Sequence, residues 1–592
     1  MKSQPADASF AAREGRRSPL FLAALITAVA VLCFDLFDGR FYYRDVDDAL
    51  RAIQIRQFLA HGRWFDLTIV GIDMPGAYVS PWSRLVDLPY VLLTFGLRTV
   101  MSPENALWWA LRLWQPVLLV TYCWLWVATA VRVAGKMVGV LPLHVVASFA
   151  LMPLTLWEFM PGRIDHHNLQ IVILMLALYG ISRWSAFGGF LAGAACGVSF
   201  AIGLELAPVL VILMVGPGLA WIFDVKASRS VQLSMAAGIA SATLVAGLLL
   251  IGPSRMVSTE CDALSAPYVS AFLGYAAVTS ISVWCVYSRR RLIRLLSLAL
   301  PAIGILLLLI LAFPACVEGP YGMIDPLVRS LWLDRVQQEN SVLDFYRVGE
   351  TIKIVSLGLL LVVVVGTVPI LRHRLKERDA AFLIIFCAAT ALLLLTFAQT
   401  RFIRFAAVGL LLFLPPLWAQ VKTGSRVMTR VTGAAAMLTL LVGTLLSRLV
   451  PAEPYLPDVL DYMAVDLCPV ADLSVLQDFP PGRILAPSSL GLVMLDGLPP
   501  GFSIASLPFH RAAPGMLRMY RAFLSTDSAV RRNAAAPFDY LALCRFPLVE
   551  EIADDTPFAV LTRGGGWPGL VSLADGPPGS LRLFRIDHSA FR

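Results

Sequence analysis

Along its 592 residues the chain alternates long apolar runs with short polar interruptions. An α-helix rises 1.5 Å per residue, so about 20 apolar residues cross the roughly 30 Å of hydrocarbon in a bilayer. Thirteen runs approach that length: 19–38, 106–131, 138–157, 168–183, 187–204, 206–223, 233–252, 269–287, 295–314, 350–371, 380–398, 404–420 and 431–449. The pattern predicts an all-α polytopic membrane protein with about 13 transmembrane helices. The first run leads straight into charged sequence without a small-residue cleavage site, so it reads as a retained anchor and sets the parity of every later loop.

Beyond residue 450 the pattern changes to short apolar runs broken by Gly and Pro, as in "PPGRILAPSSLGLVMLDGLPPGFSIASLPFHRAAPGM". That texture predicts a small C-terminal α/β domain over 450–592, after a tail at 1–18 and a membrane domain at 19–449. The hydropathy gaps leave outer loops at 39–105, 158–167, 253–268 and 315–349.

Composition agrees with the pattern: 58% of residues are hydrophobic and 15% charged, with mean hydropathy +0.73, which excludes an ordinary water-soluble globule. The net charge of +8 is spread in short clusters between apolar runs, not gathered in one basic domain, which argues against nucleic acid. Positively charged short loops stay cytoplasmic. With the N-terminus inside, "SRRRLIR" (288–294), "LRHRLKERD" (371–379) and the other basic loops all fall on the inner side, and the acidic and histidine clusters fall outside. This predicts a multi-pass protein of a cell membrane, expected to be a bacterial inner membrane, with its chemistry and C-terminus on the periplasmic face. The nine cysteines show no metal-ligand spacing, and Cys468 with Cys544 are the candidates for a disulfide in the exported tail.

The outer loops hold the candidate chemistry. Asp45, Asp47 and Asp48 open the first; three carboxylates so close repel one another unless a cation or several donors compensate. A solvated helix start with Arg51 and Arg56 as partners is the plainer alternative. "PGRIDHHNLQ" (161–170) follows the third run, and in an extended loop Asp165 and His167 point the same way and can clasp one ion, with His166 aimed elsewhere. "WLDRVQQENSVLDFYR" (332–347) puts Glu339 in a polar stretch of the long loop, and "AQTRFIRFAAVG" (398–409) sets Arg401 and Arg404 where an arginine fork can clamp a phosphate. Glu205, in "AIGLELAP", reads as a helix-terminal acid.

Together these features resemble the catalytic subunits of oligosaccharyltransferase, membrane glycosyltransferases of the GT-C type. Asp165-His166-His167 is similar to the Asp-His-His second motif of archaeal members. The resemblance assigns the first-motif aspartate to Asp47, from its interval to Gly62, with Asp45 and Asp48 left open; it assigns the fifth-loop glutamate to Glu339 and the lipid-phosphate arginine to Arg404 or Arg401. It departs in one respect: the family's WWD motif, which reads the acceptor sequon, is missing from the tail, and "WW" occurs only at 108–109.

The resemblance implies metal-assisted transfer of a sugar or oligosaccharide from a polyprenyl-phosphate or pyrophosphate donor to a protein, glycan or lipid acceptor. Asp47, Asp165 and His167 would hold a divalent cation, Mn²⁺ or Mg²⁺. Asp47 or Glu339 would act on the acceptor, and Arg404, Arg401 and His166 would meet the donor phosphate. Rival readings are a GT-C enzyme adding a single sugar to a glycan or lipid, and a polytopic transporter or flippase.

Overall fold

The structure, a computed structural model, describes residues 17–37, 46–135, 139–336, 339–347, 351–423, 463, 473–544, 554–575 and 580–592. The chain divides into two compact units: residues 1–43, 82–320 and 341–453 form one, and residues 44–81, 321–340 and 454–592 the other.

The first unit is helical. Among the described residues seven helices are long and apolar enough to cross a membrane: Pro103–Ala134, Ser228–Ile251, Ala266–Cys285, Arg291–Ala312, Ile354–Lys376, Ala380–Ala398 and Thr400–Trp418. Apolar helices at Ser18–Cys33, Ala186–Ser199 and Ala207–Ile222 are shorter. The chain is therefore a multi-pass membrane protein, and these helices are what the described residues show of the thirteen spans expected. The run at 138–157 is no single helix, because Pro142–Ala150 and Pro153–Phe159 meet at a 78° bend. Pro153 lacks the N–H that would continue the first segment and disfavours helical geometry at Met152, whose ψ is 46°. The run expected at 431–449 lies outside the described residues.

Local sequence sets several helix ends. Ser102 accepts from the Asn105 N–H and Pro103 opens the following helix. Ser83 caps Arg84–Leu97, whose first turn buries the Arg84–Asp87 ion pair at 3.0 Å. Trp108 and Trp109 stand exposed near the start of Pro103–Ala134, packed edge to face at 4.9 Å.

Glycine sets the closest helix packing. In Ala186–Ser199 a Cβ at Gly189 or Gly193 would fall 2.3 Å or 2.1 Å from the carbonyl oxygens of Val231 and Met235. The backbones of the two helices therefore touch, as small residues at four-residue spacing permit. Gly180 brings the helix His167–Arg183 against Ala186–Ser199 in the same way, where a Cβ would meet the Gly188 carbonyl at 2.7 Å. That contact anchors the helix carrying the Asp-His-His motif. A disulfide joins Cys261 to Cys316, one in each of the expected outer loops 253–268 and 315–349.

The second unit is the expected α/β module, with two further segments of the chain built in. Its seven strands are β1 (Thr68–Asp73), β2 (Ala77–Val79), β3 (Arg483–Leu485), β4 (Ser503–Ile504), β5 (Tyr540–Cys544), β6 (Leu570–Asp575) and β7 (Leu581–Ile586). They order as β2-β1-β4-β3-β5-β7-β6, parallel through β1, β4, β3 and β5 and antiparallel at both margins. Strands from the first outer loop thus complete a sheet begun more than 400 positions later in the chain. Val328, Trp332 and Leu333 of the long loop share a core with Met516, Tyr520 and Phe523. Cys544 is disulfide-bonded; Cys468, its expected partner, lies outside the described residues.

Candidate active site

The turn between Phe159 and the helix His167–Arg183 is the polar end of a deeply packed region. Gly162, at φ 97°, lets the chain reverse there. The carbonyl of Arg163 accepts from Asn168 Nδ2 at 2.9 Å and from Gln115 Nε2 at 3.0 Å, which pins the turn to its own helix and to Pro103–Ala134. Asp165, His166 and His167 follow and are 1%, 4% and 3% exposed, a degree of burial that ionisable groups tolerate only with partners.

Those partners form a chain of alternating charge. Arg404 donates to Glu158 Oε1, and Arg163 Nη2 donates to Glu158 Oε2 at 3.2 Å. Arg163 Nη2 lies 3.8 Å from Asp165 Oδ2. Asp165 Oδ1 accepts from the His166 backbone N–H at 2.6 Å and stands 2.5 Å from His166 Nδ1. His166 Nε2 meets Glu205 Oε1 at 3.0 Å, and Arg401 Nη2 donates to that same oxygen at 3.1 Å. Arg163 also stacks 4.2 Å over the Trp157 ring.

Burial alone would push the Asp165 carboxyl up, but the His166 ring and Arg163 hold it well below the usual carboxylate range. Burial likewise opposes charge on His166, yet Asp165 and Glu205 raise its pKa to about 10, so it is an imidazolium at neutral pH. His167 behaves in the opposite sense: burial, reinforced by Arg404 and His166 against the pull of Asp165 and Glu158, lowers it to about 4. Two adjacent histidines thus carry different charge.

Asp165, His166 and His167 each offer a ligand atom, all within 4.8 Å of one another. The two ring nitrogens of His166 stand against carboxylates, Asp165 on one side and Glu205 on the other. Asp165 Oδ2 and His167 Nε2 are 3.4 Å apart, a separation fitting two ligands each about 2.1 Å from one cation. The residues present therefore fit a divalent ion, with a carboxylate and a neutral imidazole as donors.

The other expected site residues are placed as follows. Arg401 and Arg404 begin the segment Thr400–Trp418, and each is engaged with a carboxylate of the first unit. Asp47 and Glu339 belong to the second unit. Asp47 is half-buried in the first turn of Val46–His61, where a negative charge suits the helix dipole. The alternative of a solvated helix start fails there, since Asp48 and Arg51 are 1% and 0% exposed. Asp45 lies outside the described residues. Glu205, the helix-terminal acid, stands just before the helix Ala207–Ile222 and joins His166, Arg401 and Gln170, while Glu158, Arg163 and Gln170 carry no signal in the sequence pattern.

No protein-family model and no curated protein matches the sequence. Solved structures match by fold. The archaeal oligosaccharyltransferase AglB from Archaeoglobus fulgidus, in complex with an inhibitory peptide and a dolichol-phosphate, aligns with TM-score 0.59 at 11% identity over 89% of this chain and 69% of that one. The A. fulgidus oligosaccharyltransferase with Zn and sulfate gives 0.54 at 12% identity over 89% and 68%. The form tethered through a disulfide bond to an acceptor peptide containing the NVT sequon gives 0.58 at 12% identity over 94% and 72%. At such identity the likeness is one of fold, and at that level the GT-C resemblance read from the motifs holds.

Proposed function

We propose that this chain is a membrane glycosyltransferase that moves a sugar or oligosaccharide from a polyprenyl-phosphate or pyrophosphate donor to an acceptor on the outer face of the membrane, with metal assistance. The observation that carries the reading is the 3.4 Å pairing of Asp165 with a neutral His167 amid Arg163, Arg401 and Arg404, in a chain with the architecture of an oligosaccharyltransferase.

In this reading the acceptor nucleophile bonds to the anomeric carbon while the bond from that carbon to the phosphate oxygen breaks, and the phosphate leaves with the electron pair. A bound divalent cation, Mn²⁺ or Mg²⁺, supplies Lewis acidity toward the developing phosphate charge. Asp165 and His167 hold it, with Asp47 as the further carboxylate that the resemblance assigns. Arg401, Arg404 and the His166 cation are the proposed donor-phosphate contacts, where fixed positive charge favours the departing anion. Asp47 or Glu339 receives the acceptor proton. The A. fulgidus enzyme is described with a dolichol-phosphate and with an acceptor peptide, which supports a lipid-phosphate donor. With no tryptophan pair in the tail, peptide, glycan and lipid acceptors all stay in the proposal, the single-sugar GT-C reaction among them. The Cys261–Cys316 bridge supports an oxidising outer face, as in a bacterial periplasm.

The test is transfer by the purified full chain, supplied with a polyprenyl-linked sugar, Mn²⁺ or Mg²⁺, and peptide, glycan and lipid acceptors. Activity that Asp165→Ala abolishes is expected. Undiminished transfer by that variant would overturn the assignment, and donor-independent solute flux would instead indicate a transporter.

A further inference from the structure

Beyond the ionic chain, one hydrogen-bonded path reaches the same pocket. His167 and Gln170 are three residues apart and share a face of the helix His167–Arg183. His167 Nδ1 lies 3.0 Å from Gln170 Oε1, and Gln170 Nε2 donates to Glu205 Oε2. Glu205 is kept a carboxylate by Arg401 and by His166 on its other oxygen. A carboxylate only accepts, so the amide nitrogen of Gln170 must face it. The amide oxygen then faces His167, and because that oxygen also only accepts, the imidazole must carry its proton on Nδ1. Nε2 is left as a lone-pair nitrogen directed at Asp165 Oδ2.

We propose that Glu205 and Gln170 are positioning residues that fix the Nδ1–H tautomer of His167 and so aim its Nε2 lone pair at the cation position beside Asp165. The polarity of the path runs one way: the carboxylate sets the amide, and the amide sets the ring. Metal-binding histidines are commonly held in this manner by an acceptor on the remote nitrogen. A second, independent observation comes from Gly203, two residues before Glu205. A Cβ there would fall 2.4 Å from Glu205 Oε2 and 2.6 Å from Gln170 Nε2, so the contact exists only because that position has no side chain.

The inference rests on the metal-assisted reading above for its purpose, but its geometry is testable without a metal. The full chain is ¹⁵N-labelled at its seven histidines, reconstituted in lipid with EDTA, and read by solid-state NMR. In the parent protein His167 is expected as a neutral Nδ1–H ring, and in Gln170→Leu and Gly203→Ala it is expected to shift toward Nε2–H. Mn²⁺ titration of the same samples should show affinity weakened by about 10- to 100-fold in both variants. Gln170→Asn and wild type, alike in chemistry but unlike in reach, separate loss of the bond from loss of polarity: the shorter amide should behave as Gln170→Leu. Folding is followed by monodispersity in size exclusion and by the thermal unfolding midpoint of each variant. A His167 ring protonated on Nε2 in the parent protein overturns the proposal whatever the metal does. Unchanged tautomer and unchanged Mn²⁺ affinity in a folded Gln170→Leu overturn it as well. A parent protein that shows Nδ1–H but binds no Mn²⁺ contradicts the metal-assisted reading and leaves the positioning role standing.

Discussion

Arg401 Nη2 donates to Glu205 Oε1 at 3.1 Å across 196 positions of sequence, and the two side chains are only 11% and 16% exposed. Removing one member leaves the other charge buried. Arg401→Ala should therefore lower stability by about 3 kcal/mol, and Arg401→Ala with Glu205→Ala together should lose less than the sum of the two single changes. Unfolding by SDS in bicelles reads both values, and strictly additive losses would deny the coupling.

The Arg404–Glu158 contact joins residues 246 positions apart and is equally sheltered. A double-mutant cycle with Arg404→Ala and Glu158→Ala should give a coupling of about 1–3 kcal/mol. Arg404→Lys should recover only part of it, because a single ammonium cannot both donate to Glu158 and keep the Nε bond to the Arg401 carbonyl.

The two histidines predict a peaked pH dependence for the metal-free protein. His166, raised to about 10, binds its proton more tightly folded than unfolded, so its contribution is complete below about pH 6.5 and is lost as pH rises toward 10. His167, lowered to about 4, binds its proton more weakly when folded, so stability rises with pH between about 4 and 6.5. Heat-inactivation midpoints measured in EDTA should peak near neutrality on the acid side. His166→Gln should flatten the alkaline limb and His167→Gln the acid one.

Gly193 admits no larger residue without moving a neighbouring backbone. Gly193→Val places atoms within about 2.1 Å of the Met235 carbonyl, and the helix pair must separate. A loss of at least about 2 kcal/mol is expected, visible as reduced yield of monodisperse protein. Gly304, where a Cβ meets nothing within 4 Å, should accept Ala without penalty.

The Cys261–Cys316 bridge closes a separation of 55 residues, which loop entropy makes worth about 4 kcal/mol. In intact cells a membrane-impermeant maleimide should label these two thiols only after reduction by an impermeant phosphine. Labelling without reduction would place the loops in a reducing compartment.

How far the sequence discloses this site depends on how local each part is. Asp165, His166 and His167 are contiguous, so their chemistry is visible in any window that contains them. Glu158 and Glu205 each stand as the lone acid of an apolar stretch, and the arginines Arg404 and Arg401 that engage them are 246 and 196 positions away. Burial of a lone acid requires a counter-charge, and the arginines of "QTRFIRF" supply it, although their spacing alone fits a phosphate clamp equally well. Helices were legible from hydropathy wherever proline did not intervene; at Pro153 the apolar run continued while the helix did not. The strands β1 and β2 were hidden for a different reason. β1 takes its second partner, β4, from a remote segment, and "TIVGID" is too short to declare a sheet alone.

The charge chain from Arg404 to Arg401 has a consequence for whatever anion arrives there. Each guanidinium is already engaged by an internal carboxylate, so in the proposed reaction capture of the donor phosphate would exchange one anion for another. On that reading an arriving phosphate would displace Glu158 or Glu205 from its arginine, and its departure would restore the pair.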